Sequence, residues 1–303
     1  MRRFFERPLA SAVNALGDDC VLLRPNAGLE LALTTDMLVE GRHFARDADP
    51  RQLGHKALAV NLSDLAAMGA APRWALLSIG LPSADERWLE AFSAGLFALA
   101  ARFGVELIGG DTTRADTRVL NIVALGEVPA GVALYRSGAR AGDDIWVSGE
   151  LGGAALALRR PDIAETARRL HEPEPRVELG ERLRGIAHAA IDVSDGLVGD
   201  LGHIVERSRL GAQVEYARVP RPAVFARLND PALERDCVLS GGDDYELVFT
   251  AAPAQRPALE ALERELGLPL TRIGAMRAGP ATLEVHDAGG RPLPLRRGFD
   301  HFA

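Results

Sequence analysis

HKALAVNLSDLAAMGAAPRWALLSIGLP, residues 55–82, changes its period once, and that change decides the fold class. Up to Gly69 apolar and small side chains recur at helical spacing, and Gly69 with Pro72 ends the pattern. From Arg73 an apolar run of strand length follows, closed by Pro82. Helix followed by strand is the unit of a layered α/β or α+β chain. Aspartate is a poor helix former, and Asp64, inside the helical pattern, caps nothing obvious. It asks for another reason to be there.

The alternation continues on both sides. LELALTTDM (29–37) reads as a strand running into a polar loop. DERWLEAFSAGLFALAARFG (85–104) is an amphipathic helix whose Trp88, Leu89, Phe92, Leu96, Leu99 and Phe103 form a core stripe, with Gly104 as C-cap. VELIGG (105–110) and RVLNIVALGEV (118–128) are further strands. PAGVALYRSGARAGD (129–143) has no sustained period and divides the chain into domains 1–130 and 131–303. DIWVSGE (144–150), GLVGDLGHIVERS (196–208) and ELVFTA (246–251) give the second domain its own strand, helix and strand.

Composition narrows the classes. The chain has 303 residues, 47% hydrophobic and 25% charged, the balance of a globular protein. No apolar run reaches membrane-spanning length, and Glu6 and Arg7 interrupt any signal-peptide core, so no membrane is expected. Cys20 and Cys237 are the only cysteines, which excludes a disulfide framework and fits a cytoplasmic setting. A net charge of -7 argues against nucleic acid as partner. Lys56 is the only lysine: either a point charge that arginine would not replace, or a chance survivor on a solvated helix face.

Six segments carry aspartate beside glycine or small polar residues: GDDCVLL (17–23), TTDMLVEGRHF (34–44), NLSDLAAMG (61–69), IGGDTTR (108–114), DVSDGL (192–197) and SGGDDYELVF (240–249). Each alone reads as a turn or helix cap. Together they read as a site, with Asp36, Asp111 and Asp192 emerging after strands. Like charges about 4 Å apart cost roughly 4 kcal/mol even at an effective dielectric of 20, so something positive must gather them. Oxygen donors without nearby Cys or His pairs select Mg²⁺, Mn²⁺ or Ca²⁺, and Mg²⁺ commonly shares its shell with substrate phosphates. Gly109-Gly110 and Gly241-Gly242 would let backbone N–H groups approach an anion. GxxxxGK[ST], a GxGxxG after a strand, and the protein-kinase HRD and DFG are all absent.

In this order GDDCVLL, TTDMLVEGRHF, KALAVNLSDLAAMGAAP, IGGDTTR, DVSDGL and GGDDYELVF closely resemble the thiamine-monophosphate kinase family, from Gly17 to the closing GFDHF (298–302). The resemblance implies the aminoimidazole-ribonucleotide-synthetase-like fold: two α/β domains, the N-terminal halves of two subunits pairing into a barrel-like homodimer core. It implies transfer of the γ-phosphoryl group of ATP to thiamine monophosphate, with several Mg²⁺ ions. Carried over, Asp19, Asp36, Asp64, Asp111, Asp192 and Asp195 match metal ligands, with Thr34 and Thr35 beside Asp36. Gly110, Asp111, Arg136 and Ser194 match nucleotide contacts, and His43, Asp243 and Phe299 match positions that touch the acceptor. Asp243 stands where the family often has Glu, and Phe299 where a larger or hydroxylated aromatic is common; both keep the chemical type. Asp18 and Asp244 neighbour these positions as solvating or capping groups.

Because the acceptor is a phosphate with a second pKa of about 6, it is mostly an oxyanion at pH 7, and neither a general base nor a covalent enzyme intermediate is expected. The competing readings are another ATP-dependent synthetase of the superfamily and a non-catalytic nucleotide- or metal-sensing module. Selenophosphate synthesis is disfavoured, since neither cysteine lies in a glycine-rich N-terminal loop.

Overall fold

The structure, a computed structural model, describes residues 1–11 and 19–295. It divides into two units, Met1–Leu65 with Ala70–Val132, and Ala66–Gly69 with the chain from Ala133. The first holds α1 (Arg2–Phe5), β1 (Leu29–Val39), α2 (Pro50–Ala67, whose last two residues belong to the second unit), β2 (Ala71–Leu81), α3 (Glu86–Phe103), β3 (Glu106–Arg114) and β4 (Val119–Pro129). Its sheet runs β1-β4-β2-β3, antiparallel except for β2 beside β3.

Sequence chemistry accounts for these elements. Asp85 caps α3 by accepting the N–H groups of Arg87 at 2.9 Å and Trp88 at 3.2 Å, and Gly104 closes the helix in the left-handed region at φ 66°. Leu89, Phe92, Leu96 and Leu99 are buried, as the stripe predicts. Helices α2 and α3 meet at two glycines: a Cβ on Gly54 would lie 2.0 Å from the Phe92 carbonyl oxygen, and one on Gly95 1.8 Å from that of Arg51. Backbones this close bury α2 almost all round. Lys56 is only 4% exposed, so the sole lysine is not on a solvated face.

Two strands outrun their expected ends. β1 stays paired with β4 from Leu29 to Val39, and β3 with β2 as far as Arg114. Asp36 and Asp111 therefore lie within strands, not after them. The partner strand supplies hydrogen bonds to the polar TTD and GGDTT segments that their own composition does not promise.

The second unit begins with β5 (Asp144–Ser148), α4 (Gly153–Arg159), α5 (Ala164–His171), α6 (Val177–Leu183) and β6 (Ala187–Asp192). It continues with α7 (Leu197–Ser208), β7 (Gly211–Glu215), α8 (Val224–Leu228), α9 (Pro231–Ser240) and β8 (Leu247–Ala251). It closes with α10 (Arg256–Leu266), β9 (Leu270–Arg277) and β10 (Leu283–His286). The sheet order is β10-β7-β9-β5-β8-β6, with only β10 and β7 parallel. Leu197, Leu201, Ile204 and Val205 of α7 and Cys237, Val238 and Leu239 of α9 share one core with Val147, Ile191, Val248 and Ile273 of the sheet. Both β5 and β6 run antiparallel to β8, so the C-terminal ends of β5 and β6 and the N-terminal end of β8 share one edge of the unit.

At the opposite end of β5, buried Asp144 accepts Arg256 Nε at 2.6 Å, Arg256 Nη2 at 2.8 Å and Arg272 Nη1 at 3.2 Å. Burial alone would raise its pKa; the two arginines win and hold it below the usual carboxylate value. A depressed folded pKa stabilises the fold at pH values above the unfolded value of about 3.9, and that contribution is lost as pH falls through the folded value. Asp144→Asn is expected to cost about 2 kcal/mol at pH 7, discounted because Arg256 is half exposed. The gap from wild type should narrow below about pH 4 in urea titrations. A gap that stays constant to pH 2.5 would contradict the ion cluster.

Candidate functional site

In the first unit, strand alternation aims Thr34 and Asp36 at α2. The Thr34 hydroxyl donates to the Asp64 carboxylate, and the Asp36 backbone N–H donates to Asn61 Oδ1 at 3.1 Å. Asn61, fully buried, is in turn held by its Nδ2 donating to the Ala57 carbonyl at 3.1 Å. Ala57, Asn61 and Asp64 are four and three residues apart, one face of the helix. Sequence reasoning missed Asn61, although that spacing from Asp64 was a signal. The structure thus joins Thr34 to Asp64 through their side chains, and Asp36 to the same face of α2 through its backbone N–H. Thr35 falls on the other face of β1, where its hydroxyl donates to Asn121 Oδ1 at 3.2 Å or the Ile122 carbonyl at 3.1 Å.

Asp111 stands elsewhere. It is exposed, in the edge strand β3 opposite Ser78, and Gly110 precedes it opposite Leu77. With β4 and β2 between them, β1 and β3 are three strand spacings apart, about 14 Å. One sheet does not bring Asp111 to Asp64. Asp19 is exposed. Phe299 and Asp18 lie outside the described residues.

His43 closes a tight turn after β1. Its N–H donates to the Val39 carbonyl at 2.9 Å, Gly41 N–H to the Phe44 carbonyl at 2.8 Å, and Val39 N–H to His43 Nδ1 at 3.1 Å. An Nδ1 that accepts carries no proton, which assigns the proton of the neutral ring to Nε2. Glu40 anchors the turn by accepting Arg118 at 2.6 Å and Arg46 at 3.1 Å. Burial pushes its pKa up, and these two arginines outweigh it.

In the second unit, the three chain ends at one edge of the sheet carry the remaining candidates. Buried Asp192 is the last residue of β6. Asp243 and Tyr245 are in the left-handed region, at φ 64° and 53°, and the Tyr245 hydroxyl donates to Asp243 Oδ1 at 2.9 Å. Such strain outside glycine concentrates at functional sites. Backbone bonds zip the two loops together: Val193 N–H to the Glu246 carbonyl at 2.8 Å, Tyr245 N–H to that of Val193 at 2.9 Å, and Asp243 N–H to that of Ser194 at 2.9 Å. Glu246 braces them from below, accepting Ser148 Oγ at 2.6 Å and both arms of the Arg176 guanidinium. Asp244 accepts the N–H groups of Gly152 at 2.7 Å and Ala154 at 3.3 Å, and burial pushes its pKa up to about 7. Arg136 is exposed, its carbonyl accepting Ser208 Oγ at 3.3 Å.

Among the described residues no three His, Cys, Asp or Glu side chains are grouped so as to hold an ion. Thr34 and Asp64, whose side chains meet, and the carboxylates of Asp192, Asp195 and Asp243, carried on two loops joined by backbone hydrogen bonds, offer only oxygen, the chemistry that suits Mg²⁺ better than zinc. Among the same residues no helix is long and apolar enough to cross a membrane.

A helix-backed sheet with Asp64 aimed at its edge strand, and a second sheet with its acidic loops at one end, find their class by comparison. Residues 17–128 match the family of AIR synthase related protein, N-terminal domain, and residues 140–286 that of AIR synthase related protein, C-terminal domain. These two α/β units therefore define an AIR synthase related protein. Within that class, the chain is 46% identical to the thiamine-monophosphate kinase of Salmonella typhimurium (strain LT2), over 99% of this chain and 96% of the relative. The chain belongs to the thiamine-monophosphate kinase family. The thiamine-monophosphate kinase structure from Stenotrophomonas maltophilia K279a superposes with a TM-score of 0.86 at 48% identity, covering 92% of both chains. AaThiL complexed with AMPPCP and TMP gives 0.81 at 29% identity, covering 92% of this chain and 89% of that one.

Proposed function

We propose that this chain transfers the γ-phosphoryl group of ATP to thiamine monophosphate, forming thiamine diphosphate and ADP in thiamine diphosphate biosynthesis. The observation that carries the reading is the full-length likeness to AaThiL, whose structure holds an ATP analogue and TMP together. The setting is cytoplasmic.

Asp19, Asp36, Asp64, Asp111, Asp192 and Asp195 would hold Mg²⁺, with Thr34 and Thr35 helping around Asp36, and Gly110, Asp111, Arg136 and Ser194 would face the nucleotide. Bound Mg²⁺ supplies charge neutralisation for the phosphates. His43, Asp243 and, outside the described residues, Phe299 hold the acceptor. The phosphate of thiamine monophosphate arrives ionised, so no residue has to take its proton. A base role for His43 is therefore not called on, and its Nδ1 accepts the Val39 N–H.

The acceptor assay follows. ADP release with ATP and Mg²⁺ is expected with thiamine monophosphate, and at least about 10²-fold slower with thiamine, whose hydroxyl lacks a base. Comparable rates would make His43 a base. ADP release indifferent to either acceptor would end the kinase reading. γ-Labelled ATP without acceptor should leave the protein unlabelled.

The active form is a dimer built on the first unit, with a barrel-like core. Edge strand β1 exposes Leu31, Leu33 and Met37, an apolar edge that natural sheets cover. A second copy would also supply the carboxylate that one sheet keeps about 14 Å away. Leu33→Glu is expected to sediment as a monomer at micromolar concentration with its helical CD intact. A variant that stays dimeric would place the interface elsewhere.

A further inference from the structure

Asp200 belongs to none of the candidate motifs. It sits in the first turn of α7, 3% exposed, and an uncompensated carboxylate at such a site is costly. Burial pushes its pKa up to about 7, against the pull of two backbone N–H groups. An acidic side chain in a first turn ordinarily serves its own helix, through the dipole or by reaching back to the cap residue. Asp200 reaches further. Gly196 is the N-cap, and the Asp200 Oδ2 atom accepts the N–H groups of Ser194 and Asp195, the two residues before it, each at 3.0 Å.

Those two bonds define more than a turn. A trans peptide points its N–H and C=O in opposite directions. The peptide joining Val193 to Ser194 gives its N–H to Asp200 and takes the Tyr245 N–H on its carbonyl; the next one gives its N–H to Asp200 and takes the Asp243 N–H. Both planes are pinned at both ends. A single carboxylate oxygen therefore sets the direction in which Ser194 and Asp195 leave the chain, and ties them to the loop that bears Asp243.

We propose that Asp200 is a positioning residue for phosphoryl transfer, aiming the Ser194–Asp195 turn at the metal and nucleotide through two backbone N–H groups. This rests on the kinase reading above. What matters is the place of the acceptor oxygen, not the charge, and two variants separate them. Asp200→Asn keeps an acceptor in place without charge; Asp200→Glu keeps charge but moves the oxygen by a methylene.

The readouts are Mn²⁺ affinity in the presence of AMPPCP, hydrogen exchange of the Ser194 and Asp195 amides, and the half-saturating Mg²⁺ for turnover. Asp200→Glu is expected to weaken Mn²⁺ binding and raise the Mg²⁺ requirement about 10- to 100-fold, with faster exchange at both amides. Asp200→Asn is expected to stay within about threefold of wild type in all three, because both hydrogen bonds survive. Wild-type Mn²⁺ affinity in Asp200→Glu, or an equal loss in both variants, overturns the proposal. Mn²⁺ affinity and amide exchange are read without turnover, so an inactive wild type would sink the kinase reading and leave this test standing.

Discussion

Asp64→Asn is expected to lower turnover of thiamine monophosphate about 10³-fold, the equivalent of roughly 4 kcal/mol of lost charge stabilisation in the transition state. The substitution is nearly isosteric. The amide oxygen of the new side chain can accept the Thr34 hydroxyl as the Asp64 carboxylate does, so the link between α2 and β1 survives and the melting temperature should move by only a few degrees. What disappears is a negative charge aimed from a buried helix at the edge of the sheet. Steady-state rates over a Mg²⁺ titration, beside a thermal melt, make the measurement. Activity above a tenth of wild type at saturating Mg²⁺ would remove Asp64 from the proposed metal ligands.

Gly242→Ala should be as damaging, by a different route. Gly242 lies at φ 78°, and a Cβ there would sit 2.3 Å from the Ser194 carbonyl oxygen. That oxygen accepts the Asp243 N–H at 2.9 Å, so relieving the clash opens the seam between the two acidic loops. Gly131 has the same φ of 78° with nothing within 4 Å of its Cβ position. Gly131→Ala thus measures the left-handed strain alone, about 1 kcal/mol. Gly242→Ala is expected to cost about 3 kcal/mol in urea unfolding and at least about 10²-fold in turnover of the folded protein. Equal costs for the two alanines would mean that the close approach of the loops carries no energy.

The layered elements were legible because their signals are local. The stripe Leu89, Phe92, Leu96, Leu99 and the cap pair Asp85 and Gly104 specify α3 without help from other elements. The odd position of Asp64 was legible for the same reason: a helix that neither needs nor favours aspartate advertises another use for it. The TTD and GGDTT segments were not legible as strand, since what makes them strand is the register of β4 and β2 beside them. Asn61 read as an ordinary helical residue until its amide met the backbone of Asp36.

Side-chain type and spacing along the chain were enough for the order of helices and strands, the all-oxygen chemistry of the acidic motifs and, through them, the family resemblance. Which carboxylates meet was left to the packed fold. It set Asp36 beside α2 and Asp111 at the far edge of the sheet, buried Lys56, and turned Asp200 back on the Asp195 loop. Those outcomes depend on strand register, on backbone direction at Gly242, Asp243 and Tyr245, and on contacts between residues distant in the chain. Local propensity carries none of that information, because a hydrogen bond across a seam has no period.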